Sequence, residues 1–187
     1  MVTGSFFVSV KFLMDGFRPL WLSSVYGQKN SILKKDFWIE LLNLSGLTFP
    51  FWCVGGDFNV TRRILEKLGG SRLTPNMRDF DGFIRECELI DLLLRNASLS
   101  WSNMQDSPIC KRLGRFLYSN EWEQNFPHSF QEVLLRQTSD HWPIVLDTGD
   151  LLLLDLRTSG CDTQVSKIAL VVGAELFRVM GGKDISS

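Results

Sequence analysis

The chain has 187 residues, of which 44% are hydrophobic and 22% charged. This composition is that of one globular domain and excludes an intrinsically disordered protein. The formal net charge of -1 and the pI near 6.1 exclude binding of nucleic acid through bulk positive charge, so any such contact has to be local.

Strands and helices alternate through the first part of the chain. Residues 5–12 alternate large apolar with small or polar side chains, which predicts a half-buried strand, and a second strand is predicted at 20–26. Asn30 or Ser31 can cap the helix that follows, and Gly46 is its predicted end.

The next two elements are a short strand and a helix. The apolar run 51–54 is closed by Gly55-Gly56, which predicts a central strand that delivers the following residues to its end. Thr74 followed by Pro75 predicts the start of a helix that ends near residue 88.

The remaining part of the fold is predicted as short strands, at 99–102, 112–118, 130–136 and 142–146. This mixture of elements predicts an α/β (α+β) fold in which sheet packs on sheet and helices lie outside.

The character of the chain changes after Asp147. The apolar run 151–154 has no partner pattern, so we divide the chain into a domain of residues 1–149 and a tail of residues 150–187. A helix over 167–180 is the predicted structure of the tail. Its apolar tract is too short to span a bilayer, and we expect no membrane association.

Two groups of basic residues are candidates for phosphate contact, although solvated surface charge is the commoner meaning of such runs. They are Arg62, Arg63, Lys67 and Arg72, and then Lys111, Arg112 and Arg115.

The segment Gly55-Gly56-Asp57-Phe58-Asn59 sets a carboxylate and a carboxamide two residues apart, directly after the predicted central strand. If strand geometry continues, Asp57 and Asn59 point to the same side of the sheet. Phosphodiester hydrolysis uses such a pair, since a carboxylate can activate water and a neutral amide can hold a phosphate oxygen. A turn built on Asp and Asn side chains is an equally good interpretation of the segment alone.

A second polar element is Ser139-Asp140-His141, just before the last predicted strand. The carboxylate of Asp140 can serve as a metal ligand, and the imidazole of His141 can face a phosphate. A single histidine is more often structural than catalytic, so the dipeptide by itself is a weak signal.

Taken in order, these segments resemble a known family. WLSSVYG, FW at 37–38, WCVGGDFNV, LSWSN, RLGRFLYS and SDHWPI are similar to the endonuclease/exonuclease/phosphatase superfamily, especially the endonuclease domains of plant LINE retrotransposons. The resemblance covers about residues 5–147. It implies a four-layered α/β sandwich, here partial, with two packed mixed sheets, outer helices and the site at the strand ends.

The resemblance also implies roles for particular residues. Asp57 would position or activate the water, Asn59 and His141 would contact phosphate, and Tyr26 would add a phosphate contact from the VYG strand. Asp140 would sit at a Mg²⁺ or Mn²⁺ ion, and DNA would be the substrate.

Two departures from the family bear on activity. Gly114 stands where the family has an Asp in its RLDRF segment, and that carboxylate orients the histidine of SDH. Loss of an orienting acid is severe in the serine-protease triad, where the amide replacement lowers turnover by roughly 10⁴. Nothing in residues 1–25 matches the family's metal-binding Glu segment, so we expect an N-terminally truncated domain that binds metal weakly.

The sequence therefore predicts a metal-dependent DNA endonuclease domain of retroelement origin that is impaired or inactive. A non-catalytic remnant that at most binds nucleic acid or protein is the alternative, and a phosphatase of small phosphorylated molecules is a third possibility. Four cysteines without a CxxC pair favour a reducing, intracellular location, the nucleus among the options. The oligomeric state is left open.

Overall fold

The computed structural model describes residues 1–13, 18–69, 72–136, 139–156, 161–170 and 177–181. Side chains are described up to residue 149, except that of Ser31, and the strands beyond are described by their backbone.

The described part contains strands, three α-helices and a short 3₁₀ turn at Ile64–Glu66. The helices are α1 (Ser31–Thr48), α2 (Pro75–Glu86) and α3 (Asn120–Asn125). The strands are β1 (Val2–Thr3), β2 (Phe7–Phe12), β3 (Leu20–Tyr26), β4 (Trp52–Asp57), β5 (Trp101–Ser102), β6 (Cys110–Lys111), β7 (Gly114–Tyr118), β8 (Phe130–Val133), β9 (Ile144–Leu156), β10 (Cys161–Leu170) and β11 (Phe177–Gly181).

The larger sheet has five strands in the order β1-β2-β3-β4-β7. Its only parallel pair is β3 with β4, and the other neighbours are antiparallel. β4 is buried along its whole length, as expected for a strand with a neighbour on each side and layers on both faces.

A second sheet, in the order β11-β10-β9-β8, packs against one face of the first. The core between them joins Leu22, Cys53 and Phe116 of the first sheet to Ile144 and Leu146 of β9. These fully buried side chains hold the two sheets face to face, because each would expose apolar surface to water if the sheets parted.

The opposite face of the first sheet is covered by α1 and α2. Their buried rings form an aromatic cluster in which Trp38 stacks on Phe80 with ring centroids 5.3 Å apart, and Phe80 stacks on Phe58 at 5.0 Å. The predicted fold class is therefore confirmed: sheet packs on sheet, and helices lie outside. No helix within the described residues has both the length and the apolarity to cross a membrane.

The predicted helix starts are confirmed. The side chain of Asn30 accepts a hydrogen bond from the N–H of Ile32, and that of Thr74 accepts one from the N–H of Met77. The predicted end of α1 was wrong, because the helix continues past Gly46 to Thr48. A side chain at this exposed position would meet nothing within 4 Å, so the glycine neither caps the helix nor packs.

The predicted end of the central strand was also wrong. β4 runs through Gly55 and Gly56 to Asp57 instead of stopping at the glycines. A Cβ at Gly55 would collide with the ring of Phe116, and one at Gly56 with the backbone of Val25. The glycines are there for close packing in the middle of the sheet, not for a turn.

The predicted helix over 167–180 was wrong in the residues that the structure describes. Residues 167–170 belong to β10 and 177–180 to β11. β10 pairs with β9 on both sides of residue 150, so the apolar run 151–154 gains a hydrogen-bonded neighbour that the sequence pattern did not reveal. The predicted domain boundary near 150 falls within β9, and the division stays a prediction.

Candidate active site

Three adjacent strands bring Tyr26, Asp57 and Gly114 into one row. Tyr26 is the register partner of Asp57 across the β3–β4 pair, and Asp57 is the partner of Gly114 across the β4–β7 pair. Directly opposite residues point to the same face of a sheet. Alternation places this row on the face that carries Cys53 and Phe116, which is the face turned toward the second sheet.

The loop after β4 holds Asp57 and Asn59 in a tight turn. The Asp57 Oδ1 atom accepts a hydrogen bond of 2.8 Å from the N–H of Asn59, and Asn59 takes a left-handed backbone conformation with φ of 50°. The Asn59 Nδ2 atom donates to the carbonyl of Gly27 at 2.7 Å, which ties this loop to the end of β3. The turn interpretation of the segment is thus satisfied by one oxygen of Asp57, and the other oxygen remains for the site.

The second oxygen of Asp57 faces His141. The distance from Asp57 Oδ2 to His141 Nε2 is 3.7 Å, and that from Asp140 Oδ1 to the same nitrogen is 3.9 Å. The Asp140 side chain is half exposed, whereas that of His141 is mostly buried and that of Asp57 entirely so. The two segments singled out in the sequence therefore meet at one place, with the imidazole between two carboxylates.

β5 fixes the loop that carries Asp140 and His141. The indole N–H of Trp101 donates to Asp140 Oδ2 at 2.8 Å, and the N–H of Ser102 donates to the Asp140 carbonyl. The N–H of Trp142 donates in turn to the carbonyl of Ser100. The sequence identified LSWSN only as a motif and did not predict this contact of Trp101. The available signal was the indole N–H itself, which needs a hydrogen-bond acceptor when it is part-buried.

Two buried polar atoms of the site, Asp57 Oδ2 and His141 Nδ1, have no hydrogen-bond partner among the residues that the structure describes. Such atoms are rare in folded proteins and each calls for an explanation. Gly114, the buried register partner of Asp57, has no side chain that could accept a hydrogen bond from the imidazole. Trp101 packs edge-on against the His141 ring, so the imidazole is held by packing instead.

Burial raises the pKa of the Asp57 carboxyl above its ordinary value. The hydrogen bond from Asn59 and the nearby His141 and Lys29 act in the opposite direction but do not cancel the loss of hydration. A carboxyl group with a raised pKa is suited to accept a proton near neutral pH.

The fit of a divalent cation to these residues is limited. Mg²⁺ prefers octahedral oxygen ligands that include carboxylates. Asp140 offers one partly exposed carboxylate, and no group of three or more His, Cys, Asp or Glu residues within the described ranges is arranged to hold a metal ion. The described residues therefore offer few of the oxygen ligands that such an ion prefers.

The structure divides the two basic clusters of the sequence into paired and unpaired members. Arg115 is fully buried and donates to both Glu66 oxygens and to Asp91, and Arg112 donates to Asp91 at 3.0 Å. The side chain of Arg62 also donates a hydrogen bond to Asp91. These three arginines form a buried network that stabilises the fold, so they are not phosphate contacts.

The remaining cations of those clusters, except Arg63, line a cavity. Lys67, Arg72 and Lys111 face it together with Lys34, and Asn59 forms part of its wall. Lys34 was not singled out in the sequence, because its neighbours in α1 gave no sign that the helix start lies beside the loop after β4.

Fold and site together define an α+β protein with two packed sheets and a polar site at the strand ends. No protein-family model matches the chain, and no curated protein matches its sequence. Its structure is similar to that of the endonuclease domain of TRAS1, a telomere-specific non-LTR retrotransposon, with a TM-score of 0.61 and 12% sequence identity over 75% of this chain and 62% of that chain. The chain therefore spans less than two thirds of that domain.

A second solved structure, of a beta toxin from Staphylococcus aureus, matches with a TM-score of 0.48 and 14% identity over 75% of this chain and 56% of that one. This similarity is too distant to carry an argument. At a sequence identity of 12%, the similarity to the TRAS1 domain establishes only the fold, and the activity has to be inferred from the site.

Proposed function

We propose that this chain is a phosphodiester hydrolase domain that acts on DNA, of retroelement origin, whose activity is impaired by glycine at position 114. The observation that carries the proposal is the approach of Asp57 Oδ2 to His141 Nε2 at 3.7 Å, at the end of the row that begins with Tyr26. The similarity to a retrotransposon endonuclease domain supports the choice of substrate.

Each side chain has a role that its position can serve. Asp57 accepts the proton of the attacking water, whose oxygen bonds to phosphorus as the bond to the leaving oxygen breaks. His141 and one N–H of the Asn59 amide hold phosphate oxygens, where developing negative charge is stabilised. The hydroxyl of Tyr26 is solvent-exposed and can reach a phosphate in front of the sheet.

The impairment follows from two features of the site. Within the described residues His141 Nδ1 has no hydrogen-bond acceptor, so no hydrogen bond fixes the tautomer of the ring, and only packing against Trp101 holds its orientation. His141 also lies over Asp57, whose side chain has no exposed surface, so water reaches the carboxylate only when the ring moves aside.

The proposal also includes a divalent metal ion and an origin of the chain in a retroelement. When bound, Mg²⁺ or Mn²⁺ would neutralise phosphate charge, and Asp140 is its protein ligand. One carboxylate gives weak binding, which adds to the impairment. The WSN and RLGRF segments, similar to those of plant LINE elements, support an origin in that group.

A non-catalytic remnant that binds nucleic acid is the second candidate. The unpartnered His141 Nδ1 favours it as well, because a site without an orienting acid can lose turnover entirely while its surface still binds.

A plasmid-nicking assay with Mg²⁺ and with Mn²⁺ tests the proposal. We expect little nicking by the native chain and an increase of roughly 10²-fold or more in Gly114→Asp, since an orienting acid is worth up to about 10⁴ in turnover. Gly114→Asn supplies similar bulk without charge and is expected to gain far less. Gly46→Asp places the same charge at an open, exposed position and serves as the surface control.

The activity of Gly114→Asp must disappear when Asp57→Asn is added, because the two residues belong to one site. Robust nicking by the native chain would overturn the claim of impairment. Nicking that is equal in Gly114→Asp and in the double variant would remove Asp57 from the reaction.

A further inference from the structure

A cavity of about 360 Å³ lies beside the candidate active site, on the far side of Asn59. We call it the basic cavity, because the described residues that line it include four cationic side chains and no carboxylate. They are Lys34, Lys67, Arg72 and Lys111. Its volume is within the range of about 300–1,000 Å³ that is typical of small-molecule sites.

The cations of the basic cavity repel one another. Lys67 and Lys111 are directly opposite residues of an isolated antiparallel bridge, a position in which like charges destabilise a sheet. Burial lowers the pKa of Lys111, and the charges of Lys67 and Lys29 lower it further. Within the described residues no carboxylate forms an ion pair with a lining cation, so the charge is left for a ligand to neutralise.

Neighbouring carboxylates are occupied elsewhere. Glu66 directly precedes Lys67, yet its oxygens accept hydrogen bonds from Arg115 and from the N–H of Arg62. Asp91 is bound by arginines in the same network. The buried arginines thus form ion pairs with Glu66 and Asp91, whereas the cations of the basic cavity form none within the described residues, which is the arrangement expected of an anion site.

Neutral groups complete the lining. Thr74, Asn76 and Met77 belong to the start of α2, a helix of 12 residues with no acidic residue in its first turn. The N-terminal end of a helix carries partial positive charge that favours an anion such as phosphate. The start of α2 therefore adds to the positive electrostatic potential that the four cations create.

The basic cavity and the Asp57–His141 site share a wall. Lys34 is 94% buried, and its Nζ donates to the carbonyl of Asn59 at 2.9 Å, which leaves two N–H donors of the ammonium group available. Asn59 is two residues from Asp57, so a group in the basic cavity lies next to one held by Asp57 and His141. Successive phosphates of a nucleic-acid strand are neighbours of this kind.

We propose that the basic cavity binds a phosphate group, and that this phosphate flanks the scissile one on the same strand. The strand assignment rests on the proposed function. The binding of phosphate itself rests on the lining cations alone.

Fluorescence anisotropy with a labelled duplex of about 20 base pairs, in EDTA and over a salt series, tests the inference. In Lys67→Gln/Lys111→Gln we expect affinity near 0.1 M salt to fall by about tenfold, and the slope of log K against log salt to shrink by about 1, since loss of one phosphate contact removes roughly 0.9. Lys35→Gln/Arg78→Gln removes the same charge from exposed positions outside the cavity and is expected to change affinity less than about twofold.

Lys111 also lies over the ring of Trp101, so its replacement could disturb the loop of Asp140. The single variant Lys67→Glu avoids this contact and must weaken binding as well. If the control pair loses as much affinity as the cavity pair, or if Lys67→Glu binds normally, the inference is overturned.

A second measurement separates a strand phosphate from a free one. The ³¹P line width of inorganic phosphate is recorded with the native chain and with the cavity pair. Broadening that depends on Lys67 and Lys111, without any matching dependence of DNA affinity, would overturn the strand assignment. Because both measurements are made without metal or cleavage, failure of Gly114→Asp to nick DNA would remove the proposed function and leave these results unchanged.

Discussion

At the scale of single residues, the side chain that is absent at Gly114 explains more of the site than the side chains that are present. Position 114 pairs with Asp57 and faces the second sheet, and within the described residues the buried Nδ1 of His141 has no hydrogen-bond partner. A family resemblance pointed to this glycine from sequence alone. The structure supplies the physical counterpart, a buried imidazole nitrogen with no acceptor.

The burial of Asp57 lowers the stability of the folded state when its carboxyl group is ionised. Because burial raises the pKa of its carboxyl, the folded state holds a proton more tightly than the unfolded state, and stability decreases as pH rises through that raised value. We therefore expect Asp57→Asn to be more stable than the native chain by roughly 1–2 kcal/mol at pH 8, the usual scale for an unsatisfied buried polar group.

Urea unfolding between about pH 4 and pH 8 measures this effect, since an unperturbed Asp titrates near 3.9. The native chain should lose stability across this window relative to Asp57→Asn. Asp36→Asn, at an exposed position of α1, is the control and should follow the native chain. A native chain that gains stability relative to Asp57→Asn with rising pH would contradict the burial argument.

Individual site residues differ in how far sequence could predict them. Asp57, Asn59 and His141 could be singled out because their residue types suit the proposed chemistry, and because the order of their segments resembles that of a known family. Trp101 and Lys34 were missed, since their importance depends on which loop lies against them, and periodicity contains no such information.

At the scale of elements, the buried ion network joins the 3₁₀ turn, β7 and the segment after α2. Burial alone would raise the pKa of the Glu66 carboxyl, but the hydrogen bond and charge of Arg115 hold it below its ordinary value. The same balance, with Arg115 and Arg112 as the main partners, lowers the pKa of Asp91. Their contribution to stability is present above about pH 4 and is lost as pH falls through the lowered values.

We expect Arg115→Ala to destabilise the protein by about 3–5 kcal/mol, because two carboxylates would be left buried without their shared partner. Arg115 also stacks over the Phe80 ring at 5.0 Å, so packing is lost as well. Chemical unfolding at pH 7 measures the difference. Arg78→Ala, at an exposed position of α2, is expected to remain within about 0.5 kcal/mol of the native chain. Equal stability of the two variants would show that the network contributes little.

Helix caps and the alternation of strand residues were predictable because they are local. The caps at Asn30 and Thr74 and the strand at 20–26 are correct for this reason. The predicted end of α1 at Gly46 was a local error, since the helix tolerates this glycine and continues to Thr48. The errors at Gly55-Gly56 and in the tail arose where a neighbour distant in sequence decides the outcome. Phe116 and Val25 need the space that the glycines provide, and β10 provides the hydrogen bonds that an isolated apolar run lacks.

At the scale of the whole molecule, the candidate site exists because two sheets meet. Tyr26, Asp57 and position 114 come from the first sheet, and His141 comes from the loop that enters β9 of the second. The core of Leu22, Phe116 and Leu146 sets the distance between the sheets, so it also sets the approach of Asp57 to His141. Sequence could predict the sheets, but only the packed structure gives the 3.7 Å between the two side chains.

The most direct measurement is the ¹⁵N and proton NMR spectrum of the His141 imidazole in the native chain and in Gly114→Asp, with His128 as the internal reference. We predict that Gly114→Asp gives a downfield, slowly exchanging Nδ1 proton on His141 that the native chain lacks, and that Gly114→Asn gives a weaker form of it. A His141 spectrum unchanged by Gly114→Asp would contradict the convergence of position 114, Asp57 and His141 on one site.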